Sequence, residues 1–363
     1  MKGQKQKKTM QKAFSCQICD CNNWIPIESY DYMAYRASKI PIKFAAAKHY
    51  IDLLIRVIIK AKPRDKVITN YVFNDYISSR LEVLFSIWFN GSQSVELKSI
   101  YCSNCGFSCY TPRPTDDDIK AKYSYLIANS LDYKKKTLDI KESHLTHLDH
   151  KRSSRIYKKC IQHRHGKTLD VLDYGGGNGA NMRPFLEKGH NCYIVDYNKN
   201  IIQGIRHIGA DIDCVDFTLK FDTIICSHVL EHVSEFSRLI NKLKHLLTPN
   251  GIIYAEVPLE VFAGIPIEND PVTHINFFTL NSLSNLFLSQ GFEILESKSE
   301  ILEYSTTHLH AAWIVAKSTG NSSLRLLPSD IYHSLYPSRN FSIAKLLNLL
   351  LRRILIRITR IIS

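Results

Sequence analysis

The sequence predicts an α/β fold built on a parallel sheet, and the stretch from Leu169 to Asn200 carries most of that prediction. An apolar run, Leu169–Leu172, has polar residues before it and a glycine cluster after it, which is typical of a buried parallel strand. A predicted helix over residues 180–188 follows, and a second apolar run, Cys192–Val195, predicts the next strand. A glycine loop between a strand and a helix, followed by another strand, is the first half of a Rossmann-like, nucleotide-binding unit.

Two acids and a set of glycines indicate which nucleotide this unit binds. Both predicted strands end on an acid, Asp173 and Asp196. Gly175, Gly177 and Ala180 satisfy the dinucleotide pattern G-x-G-x-x-[G/A], so the glycines alone leave a dehydrogenase open. Asp173 argues against that alternative, because its carboxylate would repel a pyrophosphate bound at the helix N-terminus. A cationic sulfonium ligand with a free amino group has the opposite preference.

The pattern D-x-G-x-G-x-G is formed by Asp173, Gly175, Gly177 and Gly179. It resembles the first motif of the class I S-adenosylmethionine-dependent methyltransferases. This resemblance implies a Rossmann-like methyltransferase domain in which the glycine loop wraps the methionine half of S-adenosylmethionine. It also implies that Asp196 binds the ribose hydroxyls of the cofactor.

The resemblance implies one further cofactor contact, an acid at the end of the third strand that meets the adenine amino group. The sequence predicts a helix over residues 199–207 and a compressed third strand within residues 211–217. We expect Asp216 to be this acid, and Asp211 and Asp213 remain alternatives.

The segment Ser227–Val233, S-H-V-L-E-H-V, follows the predicted fourth strand and carries the candidate catalytic residues. It resembles the corresponding segment of sugar and small-molecule methyltransferases, which implies His232 as the general base. Glu231 would orient His232 or bind substrate, and His228 would line the cleft. The same letters contain H-x-x-E-H, the inverted zinc-protease motif, but nothing downstream supplies a convincing third ligand. Packing or helix capping by the histidines is the other alternative.

Composition favours some partners over others. The 363 residues are 45% hydrophobic and 22% charged, as in an ordinary folded protein, and the formal net charge of +13 favours an anionic partner. A nucleic-acid base is nevertheless a poor acceptor candidate, since the chain has neither an N/D-P-P-Y segment after strand four nor a Pro-Cys nucleophile. The basic N-terminus lacks an apolar signal region, and ten cysteines in that context predict a reducing, cytoplasmic location.

Two C-x-x-C pairs predict a structural zinc site. The pairs are Cys16 with Cys19 and Cys102 with Cys105. Four thiolates suit a closed tetrahedral Zn²⁺ site that leaves no position open for catalysis. Residues 20–101 separate the pairs, which is far more than the roughly 15 to 20 residues of most zinc ribbons, so we expect a helical insert. Cys21 or Cys109 could replace one of these ligands, and unmetallated apolar cysteines are the alternative.

The second cysteine pair, the Pro-Arg-Pro run at residues 112–114 and the acidic helix start after Thr115 resemble a known leader. It is the zinc-ribbon leader of bacterial methyltransferases that accompany genes for surface polysaccharides and other glycans. The H-x-x-F-F-T segment, His274–Thr279, resembles the same relatives, and His274 is a candidate substrate contact. The resemblance implies methylation of a sugar hydroxyl in a surface glycan or in its nucleotide- or lipid-linked precursor. The alternatives are a non-sugar small molecule, such as a quinone or secondary metabolite, and an inactive, cofactor-binding, membrane-associated scaffold.

The stretch Ser338–Ser363 contains no acid, and on a helix its cations and aliphatic residues occupy opposite halves. Such a helix either lies in a membrane interface, on the inner face of the membrane in this case, or packs on protein. We therefore expect four segments. They are a zinc-ribbon-like leader with a helical insert (1–115), linker helices (116–165), the methyltransferase domain (166–320) and a basic amphipathic tail (321–363).

Overall fold

The computed structural model describes residues 14–33, 66–69, 80–129, 142–260, 271–304, 307–319 and 326–330. The strands within these ranges are β1 (Trp24–Met33), β2 (Lys66–Thr69), β3 (Ser94–Cys102), β4 (Ser108–Thr111), β5 (Asp170–Tyr174), β6 (Asn191–Val195), β7 (Arg206–Gly209), β8 (Phe221–Ser227), β9 (Leu247–Pro258), β10 (Asn276–Phe277), β11 (Phe292–Tyr304) and β12 (Thr307–Ser318). The α-helices are α1 (Asp116–Asn129), α2 (Glu142–His163), α3 (Arg183–Glu187), α4 (Phe236–His245) and α5 (Leu280–Ser289).

Seven of these strands form a mixed sheet in the order β7-β6-β5-β8-β9-β12-β11. The strands from β7 to β9 run parallel, and β12 enters antiparallel between β9 and β11. The chain order reverses at β5, because β6 and β7 continue to one side of it and β8 and β9 to the other. In open α/β sheets, ligands bind outside the carboxyl ends of the strands at such a switch point. The carboxyl ends of β5 and β8 therefore mark the expected ligand crevice.

Helices cover both faces of this sheet, because its strands point apolar side chains in both directions. On one face, Leu239 of α4 belongs to the same apolar core as Leu172 of β5. On the other face, Ile156 of α2 belongs to a core with Val171. Successive residues of β5 thus enter opposite cores, as the period of two in a strand requires.

A second sheet, in the order β10-β4-β3-β1-β2, contains the leader. β4 pairs antiparallel with β3 on one side and with β10 on the other, and β10 comes from the region of the predicted methyltransferase domain. Phe107 of the leader packs on Phe236 and Phe278, with ring centroids 4.9 and 5.2 Å away. Backbone pairing and aromatic packing therefore join the leader to α4 and to the segment that precedes α5.

The helix predicted over residues 199–207 is wrong, since these residues form turns and the start of β7. Asn198 Oδ1 accepts a hydrogen bond from Asn200 N at 2.9 Å, and Gly204 has a φ of +93°. Local side-chain bonding of this kind and a left-handed glycine both compete with helix formation. The third strand is consequently β7 rather than a segment within residues 211–217.

The other predicted elements of the main sheet are present, including the antiparallel pair β11 and β12. The tail helix at residues 338–363 and most of the insert between the cysteine pairs lie outside the described residues. Among the helices that are described, none is long and apolar enough to cross a bilayer.

Candidate active site

The glycine loop follows β5 and lies directly against the segment that follows β8. Gly175 has a φ of +71°, and a Cβ added to it would lie 2.5 Å from Cγ2 of Val229. Gly177 and Gly179 also have positive φ values. A residue with a side chain could not allow this approach without strain. The loop and the S-H-V-L-E-H-V segment therefore meet at the switch point of the sheet.

Asp173 closes β5 beneath this loop and is 1% exposed. Asn181 Nδ2 donates to Asp173 Oδ2 at 3.3 Å, whereas Oδ1 has no hydrogen-bond partner within the described part of the chain. Burial raises the pKa of Asp173 to about 7, and the Asn181 hydrogen bond offsets this only in part. A buried acceptor atom beside a glycine loop fits a cationic ligand with N–H donors, such as the methionine half of S-adenosylmethionine.

Asp196 follows β6, and backbone amides hold its carboxylate in place. Gly177 N donates to Oδ2 at 2.8 Å, and Asn198 N donates to Oδ1 at 2.7 Å. Burial raises the pKa of Asp196, although these two hydrogen bonds act in the opposite direction. Each carboxylate oxygen can still accept from a hydroxyl, since each has a second lone pair. This geometry fits the predicted contact with the ribose.

Asp211, rather than the expected Asp216, lies nearest to the end of the third strand, β7. Asp211 is the first acid after β7, is half-buried, and accepts a hydrogen bond from Asp213 N at 3.0 Å. Asp216 is exposed, and its carboxylate accepts from Thr218 N at 2.8 Å. The placement favours Asp211 over Asp216 for the adenine contact, because Asp211 lies next to the end of the strand.

The segment after β8 forms a turn rather than a helix. His228 has a φ of +58°, which is uncommon for a residue with a β-carbon, and its backbone N donates to Glu256 O at 2.8 Å. His232 N donates to Val229 O at 2.9 Å and closes the turn. The two histidines therefore do not share one helical face, and the zinc-protease arrangement is not formed.

Glu231 lies at the centre of this turn and is 1% exposed. His228 Nδ1 and His232 Nε2 lie 3.2 and 3.7 Å from its Oε1. Burial alone would raise the pKa of Glu231, but the neighbouring imidazoles outweigh that effect and lower it to about 2. Glu231 is therefore a buried carboxylate at neutral pH.

The orientation of the His232 ring follows from its other nitrogen. His232 Nδ1 lies 2.6 Å from Thr273 O, and a carbonyl oxygen can only accept, so Nδ1 carries the hydrogen. The lone pair is then on Nε2, on the side of Glu231. Burial lowers the pKa of His232 to about 3, so this imidazole is neutral at physiological pH.

His274 and Asn276 join this turn from the segment that precedes α5. The rings of His274 and His232 have centroids 4.7 Å apart, and His274 Nδ1 donates to Glu260 Oε2 at 2.7 Å. Asn276 Nδ2 donates to the carbonyl oxygens of Leu230 and Val233 at 2.6 and 2.7 Å. His274, which lies two residues before β10, thus comes next to His232.

Glu256, at the end of β9, is a site residue that sequence reasoning missed. Its carboxylate contacts Arg152 Nε at 3.2 Å, Ser227 Oγ at 3.1 Å, Tyr254 Oη at 2.7 Å and His228 Nε2 at 3.3 Å, and it also pairs with Arg155. Burial opposes its ionisation, yet His228 and the two arginines hold the pKa of Glu256 well below its usual range. This network ties α2 to the ends of β8 and β9 and positions His228.

The comparison with protein families decides what kind of domain this is. A family model described as a methyltransferase domain matches residues 145–297, which include the glycine loop, Asp173, Asp196 and the turn after β8. These residues form a class I methyltransferase domain. The match supports an enzyme that uses S-adenosylmethionine over the dehydrogenase alternative.

The methyltransferase domain is similar to the C-methyltransferase NovU of Streptomyces niveus, with 24% identity over 139 residues, or 35% of this chain and 33% of that protein. It is also similar to the ubiquinone biosynthesis O-methyltransferase of Rickettsia akari, with 28% identity over 110 residues, or 27% of this chain and 44% of that protein. The chain thus spans less than half the length of these curated relatives. Among solved structures, 1,6-didemethyltoxoflavin-N1-methyltransferase of Burkholderia thailandensis shows 18% identity and a TM-score of 0.45, covering 61% of this chain and 96% of that one.

The four predicted zinc ligands come together beside the methyltransferase domain. The Sγ atoms of Cys16, Cys19, Cys102 and Cys105 all lie within 4.8 Å of one another. The Cys16–Cys105 and Cys19–Cys102 sulfur pairs are each 3.5 Å apart, close to the separation of about 3.8 Å that a tetrahedral Zn²⁺ with bonds of about 2.3 Å would give. Neither Cys21 nor Cys109 belongs to this group. The donor set therefore fits a closed zinc site.

Proposed function

We propose that the protein transfers the methyl group of S-adenosylmethionine to a hydroxyl of a sugar, in a surface glycan or in its nucleotide- or lipid-linked precursor. The observation that supports it best is the orientation of the His232 ring. Nδ1 carries the hydrogen and Nε2 the lone pair, and the ring belongs to the turn that contacts the glycine loop. The sugar part of the proposal draws on the leader and the H-x-x-F-F-T segment, which resemble those of glycan-associated methyltransferases.

The residues of this chain would divide the work between cofactor and acceptor. Asp173 and the loop Gly175–Gly179 would hold the methionine half of the cofactor, Asp196 the ribose, and Asp211 or Asp216 the adenine. Bound S-adenosylmethionine supplies a methyl group on a sulfonium, which is already an activated donor. The acceptor side then needs only to align a hydroxyl and remove its proton.

His232 is the proposed proton acceptor on that side. Its hydrogen bond to Thr273 O leaves Nε2 to take the hydroxyl proton, and Glu231 lies 3.7 Å from Nε2 to stabilise the imidazolium that forms. His228 would line the cleft, held by Glu256 on the opposite side from Glu231.

We further propose one structural Zn²⁺ at the four-cysteine cluster and a peripheral membrane contact through residues 338–363. The zinc proposal is supported by the sulfur distances, and the membrane proposal by the basic amphipathic pattern of the tail. A membrane contact would bring the active site next to lipid-linked acceptors on the cytoplasmic face of the membrane.

A non-sugar acceptor is the second candidate. The curated relatives favour it, since one is named as a ubiquinone biosynthesis O-methyltransferase and another as a C-methyltransferase. A quinol or another small phenol also offers a nucleophile for methyl transfer, either its acidic hydroxyl or a ring carbon.

The test is methyl transfer from labelled S-adenosylmethionine to matched panels of nucleotide-linked sugars, lipid-linked sugars and quinols. We expect product from a sugar panel, a loss of about 100-fold or more in His232→Gln, and no loss in the exposed control His245→Gln. Methylation of quinols with no sugar product would replace the first candidate by the second. Cofactor binding without any product would favour the inactive scaffold.

A further inference from the structure

Three ligand-type side chains from two separate segments lie close together at the turn after β8. Glu231 and His232 come from the turn after β8, and His274 comes from the residue pair before β10. One ligand-type atom from each of the three lies within 4.8 Å of the others. Two imidazoles and one carboxylate form a donor set that binds divalent transition ions in many proteins.

The imidazole rings are oriented as metal-ligating histidines usually are. His232 Nδ1 donates to Thr273 O at 2.6 Å, and His274 Nδ1 donates to Glu260 Oε2 at 2.7 Å. Histidines that bind metals almost always donate their other ring N–H to a backbone carbonyl or a carboxylate, which fixes the tautomer and the ring orientation. In this site His232 donates to a backbone carbonyl, and His274 donates to a carboxylate.

Glu231 adds a second, independent observation. It is 1% exposed, and neither of its carboxylate oxygens has a hydrogen-bond partner among the residues that the structure describes. Its charged and polar neighbours are imidazoles, since His228 Nδ1 lies 3.2 Å and His232 Nε2 3.7 Å from Oε1. A buried carboxylate is costly unless a cation or several donors compensate its charge. A cation between Glu231 and the imidazoles of His232 and His274 would add to the compensation that His228 gives.

We propose that Glu231, His232 and His274 bind one divalent cation of the Mn²⁺, Fe²⁺ or Zn²⁺ type. Three protein ligands leave coordination positions open for oxygen atoms of the acceptor, in contrast to the closed four-cysteine cluster. Glu260 and the Thr273 carbonyl are positioning groups, because they act through the imidazoles.

This inference rests on the proposed function for its meaning and changes how the acceptor is activated. His232 Nε2 can hold a proton or a cation, but not both. A bound cation would lower the pKa of an acceptor hydroxyl that coordinates it, so the hydroxyl proton would pass to solvent rather than to His232. The acceptor oxygen would form the bond to the methyl carbon while the carbon–sulfur bond breaks, and the electron pair of that bond would stay on the sulfur of S-adenosylhomocysteine.

The experiment is a Mn²⁺ titration of the full chain, followed by the electron paramagnetic resonance signal of free aqueous Mn²⁺. Mn²⁺ is a suitable probe because it prefers oxygen and imidazole ligands to the thiolates of the cysteine cluster. The variants are Glu231→Gln and His274→Gln, with exposed Glu187→Gln and His245→Gln as matched controls. S-adenosylhomocysteine affinity, measured on every variant, reports on folding.

We expect one equivalent of Mn²⁺ to bind to the unmodified chain and to both controls. Binding should be lost in Glu231→Gln and in His274→Gln, and Glu260→Gln should weaken it by about 10- to 100-fold through the His274 ring. The absence of a saturable site, or equal binding by the Glu231 and His274 variants, would overturn the proposal. Normal S-adenosylhomocysteine affinity with no Mn²⁺ site would refute the cation alone, whereas Mn²⁺ binding without S-adenosylhomocysteine binding would refute the proposed function.

Discussion

Asp173 is the residue in which burial, charge and ligand chemistry are most tightly linked. Its carboxyl is buried with one oxygen lacking a partner among the described residues, and its pKa is raised to about 7. A bound ammonium group favours the ionised carboxylate, so cofactor binding near neutral pH should displace a proton from Asp173.

The affinity for S-adenosylhomocysteine should therefore depend on pH. Below about pH 7 the carboxyl is protonated before binding, and we expect the affinity to fall by up to about tenfold per pH unit. Calorimetry in buffers of different ionisation enthalpy measures both the affinity and the proton release. An affinity that stays constant between about pH 6 and about pH 8, with no proton release, would contradict this role for Asp173.

The same raised pKa has a consequence for the stability of the cofactor-free protein. Between about pH 4 and about pH 7 the carboxyl is protonated in the folded chain and ionised in the unfolded chain, so the free energy of unfolding falls as pH rises. We expect Asp173→Asn to raise the melting temperature at about pH 8 and to change it little at about pH 4. The gain should be a few kcal/mol at most, since one pKa unit corresponds to about 1.4 kcal/mol. A lower melting temperature for this variant at both pH values would argue against burial as the cause.

At the residue scale, the sequence predicts the groups that lie next to recognisable motifs. Asp173 and Asp196 follow from their positions at the ends of two strands, and Glu231 and His232 from a seven-residue segment. Glu256 and Asn276 could not be predicted in the same way, because their contacts are with residues far along the chain. A possible signal for Asn276 is an amide placed directly before two apolar phenylalanines, a position where a side chain is buried and must find polar partners.

At the scale of elements, the turn after β8 depends on β10 for its shape. Asn276 donates to two backbone carbonyls of the turn, and the backbone N–H groups of Ile275 and Asn276 both donate to Glu231 O. β10 and the residue before it therefore hold Glu231 and His232 in position, although they are not part of the turn.

Replacing Asn276 should loosen this turn while leaving the cofactor side intact. We expect Asn276→Asp, which keeps the shape but loses the donors, to cost about 2 to 4 kcal/mol of stability and to reduce turnover more than S-adenosylhomocysteine affinity. Hydrogen exchange at residues 230–234 should increase in parallel. Unchanged exchange and unchanged turnover would show that the turn does not need this clamp.

The cysteine cluster supports the start of α4 from the other side. Gln17, between Cys16 and Cys19, donates to Ser234 O at 2.7 Å, and Arg113 donates to the same oxygen at 2.7 Å. These contacts connect the predicted zinc knuckle to the end of the S-H-V-L-E-H-V turn. A change at the cysteines should therefore disturb the S-H-V-L-E-H-V turn, which carries His232, more than it disturbs the glycine loop.

Loss of zinc should accordingly lower turnover more than cofactor affinity. We expect Cys105→Ser to contain less zinc by elemental analysis, to melt at a lower temperature and to lose turnover. Cys21→Ser, a change in the same knuckle but outside the cluster, should retain zinc and turnover. Full zinc content in Cys105→Ser would refute the four-cysteine site.

At the scale of the whole molecule, β5, β6, β8 and β9 follow from the sequence because each is largely an apolar run with a clear boundary, whereas β7 has no such run and is predicted at the wrong position. The helix wrongly predicted over residues 199–207 shows the limit of this reasoning, since an asparagine turn and Gly204 decide that segment. The pairing of β4 with β10 is also beyond local pattern, because two-residue β10 carries no period of its own. That pairing joins the leader to the segment that carries His274 and Asn276.

The measurement that tests the central claim most directly is calorimetric titration of the zinc-replete full chain with S-adenosylhomocysteine and, separately, with NAD. We predict micromolar binding of S-adenosylhomocysteine that is abolished in Asp173→Ala, together with no binding of NAD. The absence of S-adenosylhomocysteine binding to the folded chain, or binding that survives in Asp173→Ala, would contradict the account of this site as the cofactor site of a methyltransferase.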